Sequence, residues 1–246
     1  ILQKGKQLIQ NGNKNFIENN VDSDKMSILL FTSGTTSKSK AVMLNQRAIA
    51  ANIADMLMVE SLYPTDTNIA FLPFHHIFGS TGMLVMLASG VRTVFPDGLR
   101  YIKQNLKEYE VSVFVGVPLL VNKMYENIEK EIEKQGKTKL INRATKISNL
   151  LLKLHIDIRR KLFKQVLDGL GGKMRLIISG GAPLDKKVSI KFNELGVRLI
   201  QGYGLTETCP VIAAENDKYI RNGSVGFPMR HVTVEIVNKD KDGIGE

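Results

Sequence analysis

Apolar residues along the 246-residue chain follow two alternating rhythms. Short runs, "SILLFT" (27–32), "TNIAFLP" (67–73), "VRTVF" (91–95), "VSVFVGV" (111–117), "MRLIIS" (174–179) and "VRLIQGYG" (197–204), have the length and β-branched content of strands. Between them apolar positions recur at three and four, the period of an amphipathic helix. Helices are predicted after Asn45, over "GSTGMLVMLASG" and "LRYIKQNLKEYE", from Pro118 to about Gln135, in the basic stretch that follows, and from Asp185 to Leu195. Asn45 is a capping residue type, and Pro118 suits a first helical turn. "SILLFT" has no polar side, which predicts a strand buried on both faces. "HVTVEIV" (231–237) alternates and predicts a half-exposed strand before a turn at "NKDKDG". Repeated βα units imply a layered α/β fold with largely parallel sheets, changing to antiparallel β over about the last forty residues.

Composition narrows the setting. The longest apolar stretch, near Phe78 to Leu87, is interrupted by Gly79, Ser80, Thr81 and Gly82, so no transmembrane helix is predicted. No secretory signal is visible at the start, and the single cysteine, Cys209, excludes an internal disulfide and fits a reducing cytoplasm. Both ends read as cut, so the chain is expected to be a piece of something longer. Net charge is +10, and between Lys137 and Arg175 eleven Lys/Arg face only Asp157 and Asp168. Leucines and isoleucines lie among these cations at helical spacing. A solvated surface helix and an interfacial helix on anionic lipid both fit. Nucleic acid fits less well, because no aromatic interleaving or recognition motif accompanies the charge.

Three polar loops follow predicted strands, where ligands bind in open parallel sheets. The first lies within "FTSGTTSKSKAVML" (31–44). Its hydroxyls, glycine and lysines suit an anion, since backbone N–H groups in such a turn converge on phosphate oxygens. It is not a Walker A loop, because Ser39 stands where the second glycine would be. In "ISGGAPLD" (178–185) two glycines permit close approach of a flat ligand, with Pro183 as a helix starter in the alternative reading. In "QGYGLTETCP" (201–210) Tyr203 suits stacking on a base, Thr206 a phosphate and Glu207 a hard cation; a plain glycine-rich connection is the alternative. In "LPFHHIFG" (72–79), His75 and His76 are poor joint metal ligands, since neighbours in extended chain point opposite ways.

Together and in this order these residues resemble the adenylate-forming superfamily, which includes acyl-CoA synthetases, firefly-luciferase-like enzymes and peptide-synthetase adenylation domains. Its phosphate loop runs Thr-Ser-Gly-Thr-Thr-Gly-x-Pro-Lys-Gly-Val. Here "TSGTTSKSKAV" keeps Thr32 through Thr36, Lys40 and Val42, and departs at Ser37, Ser39 and Ala41. "PFHHIFG" resembles the Pro-x-x-His segment, "SGGAPL" and "GYGLTET" match closely, and "GSVGFPM" (223–229) matches the entry to a β-subdomain. The basic insert before "GGKMRLIISGGAPL" most resembles long-chain fatty acyl-CoA synthetases.

The resemblance implies an incomplete αβαβα acyl-adenylate synthetase N-terminal domain. Residues 1–62 would end a first α/β subdomain, 63–208 form a second, and 209–246 begin a β-subdomain. It implies that ATP and a fatty acid give an acyl-adenylate, which coenzyme A converts to a thioester. Thr32, Ser33, Gly34, Thr35, Thr36 and Lys40 would cradle the β- and γ-phosphates, with Lys40 the functional lysine rather than Lys38. Gly181, Ala182, Pro183, Gly202, Tyr203 and Gly204 would form the adenine site. Thr206 would meet the α-phosphate, Glu207 with Thr36 would hold Mg2+, and His76 would sit where carboxylate and phosphate meet. "VFVGVPLL" (113–120) and Gly180 would line the acyl tunnel. The ribose-binding aspartate, hinge and catalytic lysine of the family have no counterpart here, so the chain alone is expected to be inactive. The implied setting is cytoplasmic, with the basic helix as a peripheral contact to anionic membrane and no role for nucleic acid. The alternatives are adenylation of an aryl or amino acid, or a non-catalytic nucleotide-binding or membrane-surface module.

Overall fold

The computed structural model describes residues 1–15, 17–32, 39–216 and 218–245. Helix α1 (Leu2–Gln10) buries none of its residues. Strands β1 (Met26–Thr32) and β2 (Lys40–Asn45) form a two-stranded antiparallel ribbon. Helix α2 (Gln46–Met56) follows at once, because the Asn45 side chain accepts the Ala48 N–H at 2.9 Å and caps its first turn.

The main sheet has seven strands among the described residues, in the order β4–β3–β5–β6–β7–β8–β9. These are β3 (Thr67–Ile69), β4 (Arg92–Val94), β5 (Val113–Gly116), β6 (Leu176–Ser179), β7 (Arg198–Gly204), β8 (Val211–Ala214) and β9 (Phe227–Pro228). The first five pair in parallel, and β8 and β9 add antiparallel strands. The connecting helices are α3 (Ile77–Ala88), α4 (Ile102–Glu108), α5 (Pro118–Lys134), α6 (Thr138–Lys153), α7 (Arg159–Leu162), α8 (Lys164–Asp168) and α9 (Lys186–Glu194). Successive strand residues serve opposite faces. Ile69, Phe114, Ile177 and Leu199 pack against Leu106 of α4, Val121 and Tyr125 of α5, Leu167 of α8 and Phe192 of α9. Val113, Val115, Leu176 and Ile200 face the other way, onto Met86 of α3 and Val91. A third cluster joins Val42 and Leu44 of β2 to Ile49, Ile77 and Cys209.

At the edge where the parallel strands begin, one buried carboxylate ties three of them together. Arg175 donates from Nε to Asp66 Oδ1 at 2.8 Å, and its second nitrogen meets Asp66 Oδ2 and the Ser61 carbonyl. The Ser112 hydroxyl donates to Asp66 Oδ1 at 2.7 Å and accepts the Thr67 N–H at 3.0 Å. The Tyr63 N–H completes the set at 2.9 Å. Burial by itself would push the Asp66 carboxyl up, but the bonds from Arg175, Ser112 and Tyr63 together hold it below its ordinary value.

Three expectations need correction. "SILLFT" is not buried on both faces: among the described residues β1 pairs only with β2, and Leu29, Phe31 and Met43 are exposed while Val42 and Leu44 face the core. An unbroken apolar run does not show how many faces will be covered. The basic stretch is not one helix but breaks into α6, α7 and α8. His155 takes a left-handed conformation (φ 61°), and Asp157 accepts the Arg159 N–H at 3.0 Å, which restarts the helix. Residues 231–237 form no strand, because no ladder partner lies beside them among the described residues. The turn that follows does form, closed by the Asp240 side chain accepting the N–H groups of Asp242 and Ile244.

Replacing Asp66 with alanine leaves Arg175 and Ser112 without their acceptor, and is expected to lower the unfolding free energy by about 2–4 kcal/mol in urea titrations. Because the folded-state value of Asp66 is depressed, its contribution is complete above the ordinary carboxylate value and disappears as pH falls through the folded value. Wild type is therefore expected to lose its advantage over Asp66→Ala only in that acidic window.

Candidate active site

Two of the three singled-out loops, and His76, meet at the end of the sheet where the parallel strands finish. A cleft of about 550 Å³ opens there. Its rim carries His76, Gly180, Gly181, Gly202, Tyr203, Gly204 and Thr206, and its interior is chiefly apolar, with Met86, Val115, Ile178 and Ile200 among the lining residues. The interior reaches past α2 to Glu60, whose carboxylate accepts from Arg198 at 2.8 and 3.0 Å. Arg198 starts β7 and Tyr203 nearly ends it, a span of about 20 Å for a seven-residue strand. The cleft thus runs along the sheet, with a polar rim at one end and a neutralised ion pair at the other.

Local chemistry shapes the rim. Gly181 has a left-handed backbone (φ 86°), which favours glycine after β6. At Gly204 an added Cβ would run into the Pro210 carbonyl, so glycine is required where β7 crosses the turn leading to β8. That turn is internally bonded: Leu205 N–H donates to Pro210 O at 3.0 Å and to the Thr208 hydroxyl at 3.0 Å. It holds Thr206 half-buried at the cleft and Glu207 exposed beside it. The Cys209–Pro210 bond is cis, and the Cys209 side chain is buried against β2 and α3. His76 precedes the first turn of α3 and is exposed.

The remaining residues fall as follows. Ala182 and Pro183 are exposed next to Gly181 but do not line the cleft. Val115 and Val117 line it, whereas Phe114 points into the opposite core. Thr32 and Lys40 are cross-strand partners at the open end of the ribbon, and β2 packs against the Thr206–Thr208 turn. Ser33, Gly34, Thr35, Thr36, Ser37 and Lys38 lie outside the described residues. Among the described residues no group of three or more His, Cys, Asp or Glu is placed to hold a metal, and Glu207 makes no ion pair.

The AMP-binding enzyme family profile matches residues 2–245. The chain belongs to that family. This member is 29% identical to the Long-chain-fatty-acid--CoA ligase 5 of Rattus norvegicus, over 84% of this chain and 32% of that protein. It is 27% identical to the chloroplastic Long-chain-fatty-acid--[acyl-carrier-protein] ligase AEE15 of Arabidopsis thaliana, over 91% of this chain and 36% of that protein. The chain therefore spans about a third of the length of these curated relatives. A malonyl-CoA ligase solved with methylmalonyl-CoA and AMP shares its fold, with a TM-score of 0.63 and 23% identity over 86% of this chain and 40% of that one.

In this member of the family, two supporting residues escaped the reading of the sequence. Asn52 of α2 donates to Val211 O at 2.7 Å and accepts Val211 N–H at 3.1 Å, pinning β8 behind the rim. Glu215, fully buried, accepts the N–H groups of Gln201 at 3.0 Å and Arg221 at 2.8 Å. Burial pushes the Glu215 carboxyl up, against the smaller lowering effect of those two bonds. Their only linear signal was position: both polar side chains serve backbone far away or across a turn. Asn52→Leu is expected to cost about 1–3 kcal/mol, since both Val211 groups lose their partner. Glu215 has the opposite linkage to Asp66: its raised value makes its contribution complete below the unfolded value and lost as pH rises through the folded one. Melting temperatures followed upward from acid pH are expected to decline through that window in wild type and not in Glu215→Gln.

Proposed function

We propose that this chain is the nucleotide- and acyl-binding part of an AMP-forming ligase that activates a fatty acid with ATP and passes it to coenzyme A. The observation that carries this reading is the cleft itself, a glycine-rich polar rim continuous with a long apolar interior. A carboxylate attacking an α-phosphate brings anions together, so donors and cations belong at the reacting end and none along the tail.

In this reading the adenine lies between Tyr203 and the Gly181–Pro183 segment, against Gly202 and Gly204. The glycines let the ring approach the backbone, and Tyr203, exposed at the rim, offers a stacking face. Thr206 donates its hydroxyl to the α-phosphate. Lys40, with Thr32 and the residues up to Thr36, faces the outer phosphates, and the packing of β2 on the Thr206–Thr208 turn supports bringing them to the same end. His76 orients the acyl carboxylate at the rim. A lone exposed carboxylate such as Glu207 fits Mg2+, which takes one or two protein carboxylates and completes its shell with phosphates and water. Bound there, the ion would screen phosphate charge.

A fatty acid is favoured over an amino acid because Val115, Val117 and Ile178 line the cleft, and the Glu60 carboxylate at its far end is bonded by Arg198 rather than left for a substrate ammonium. The malonyl-CoA ligase relationship keeps other carboxylates in the same class. For the 246-residue chain, calorimetric titration with ATP and Mg2+ is expected to give binding that Tyr203→Ala weakens about tenfold, the worth of one stacked base. Glu207→Gln is expected to remove the Mg2+ dependence while leaving metal-free binding in place. Fatty-acid-dependent pyrophosphate exchange is expected only from the longer protein, where a ladder of acids should show a long-chain optimum. No ATP binding by the chain, or an optimum on an aryl or amino acid, would overturn the reading.

A further inference from the structure

Helix α6 has two apolar sides, and only one of them is used by the fold. Its inner side carries Ile141, Thr145, Ser148 and Leu151, with Thr145 and Ser148 buried as the helix packs on α5 and α9. Asn149 fixes the packing by donating to Glu194 at 2.9 Å. On the outer side Leu140, Ile147, Leu150 and Leu154 are 62%, 57%, 63% and 64% exposed. Leu140, Ile147 and Leu154 lie seven residues apart, and Lys139, Lys146 and Lys153 each precede one of them. The result is an aliphatic ridge about 21 Å long from Leu140 to Leu154, at 1.5 Å per residue, edged by a row of ammonium groups. Arg143 is the fourth cation, the helix contains no Asp or Glu, and none of the three lysines forms an ion pair among the described residues.

We propose that this outer face of α6 is a docking surface for anionic membrane. The surface goes beyond the ligase reading and does not depend on it. Lone exposed leucines are ordinary, but a ridge of them on one helix needs an apolar occupant. The unrelieved positive edge needs an anionic one. A lipid surface supplies both, acyl chains below and phosphate or carboxylate headgroups above. A second copy would bring lysine rows together with no acidic partner on the helix. Nucleic acid would match the charge but not the ridge, since α6 offers aliphatic tips and no aromatic ring for stacking.

The test is sedimentation of the 246-residue chain with phosphatidylcholine vesicles, with and without phosphatidylserine, at low and physiological salt. Lys139→Gln/Lys146→Gln removes edge charge, and Leu150→Gln/Leu154→Gln removes the ridge. Lys103→Gln/Lys107→Gln on α4 removes equal charge from exposed positions elsewhere. All the substituted side chains are exposed, so unchanged melting curves establish that the variants fold. Binding is expected to require phosphatidylserine, to weaken with salt, and to fall about tenfold or more in both α6 variants but not in the α4 variant. Absence of phosphatidylserine-dependent binding, or equal loss in the α4 variant, would overturn the proposal. So would an α6-dependent dimer in sedimentation velocity, or α6-dependent duplex DNA binding without vesicle binding.

Discussion

A single carboxylate that cannot reach bulk water organises one end of the molecule. Asp66 stands before β3, Ser112 before β5 and Arg175 before β6, and the three side chains close on one another. A parallel sheet has no hairpins to set the stagger of its strands, so something outside the ladder must. With both carboxylate oxygens filled, β3, β5 and β6 start close to level, and β5 and β6 run in register from Val113 and Leu176 to Gly116 and Ser179. The exits after β5, β6 and β7 then fall side by side, and the cleft is the space that those exits enclose.

The same constraint separates the two kinds of polar group in the structure. At the strand starts, polarity is consumed internally: Asp66 with Arg175, and Glu60 with Arg198. At the strand ends, the glycines of 180–181 and 202–204, Tyr203 and Thr206 keep polar atoms at a cleft rim. Asn52 and Glu215 stand between these groups. Each satisfies backbone just behind the rim, so that β8 can pair with β7 without closing over it. These buried partners satisfy the backbone of Val211 and the N–H groups of Gln201 and Arg221, which stiffens the wall behind the rim.

Much of the scaffold was legible along the chain. β3 to β7 and most of their helices followed from period and length, Asn45 was readable as a cap, Asp185 as the start of α9, and Pro118 marked the start of α5. The rim residues were legible too, because a glycine pair or a Gly-Tyr-Gly after an apolar strand is locally distinctive. Failures came where coverage by distant chain decides the outcome. β1 carries the pattern of a buried strand yet exposes Phe31, and residues 231–237 alternate like a strand with no ladder partner among the described residues. His155 ended a helix that charge and spacing alone would have continued.

By itself, then, the order of residues determined the βα alternation, the placement of glycines at strand ends, and membership of the AMP-binding enzyme family. Those are local or pattern properties, set by sterics and hydrophobic period within a few residues. Only the tertiary structure decided which strand faces are covered and that the cleft runs inward to Glu60. It also decided that Asn52 of α2 and Glu215, just after β8, support the rim, and that α6 turns one of its two apolar sides outward. Each of those depends on contacts between residues far apart in the chain, whose burial no local pattern records.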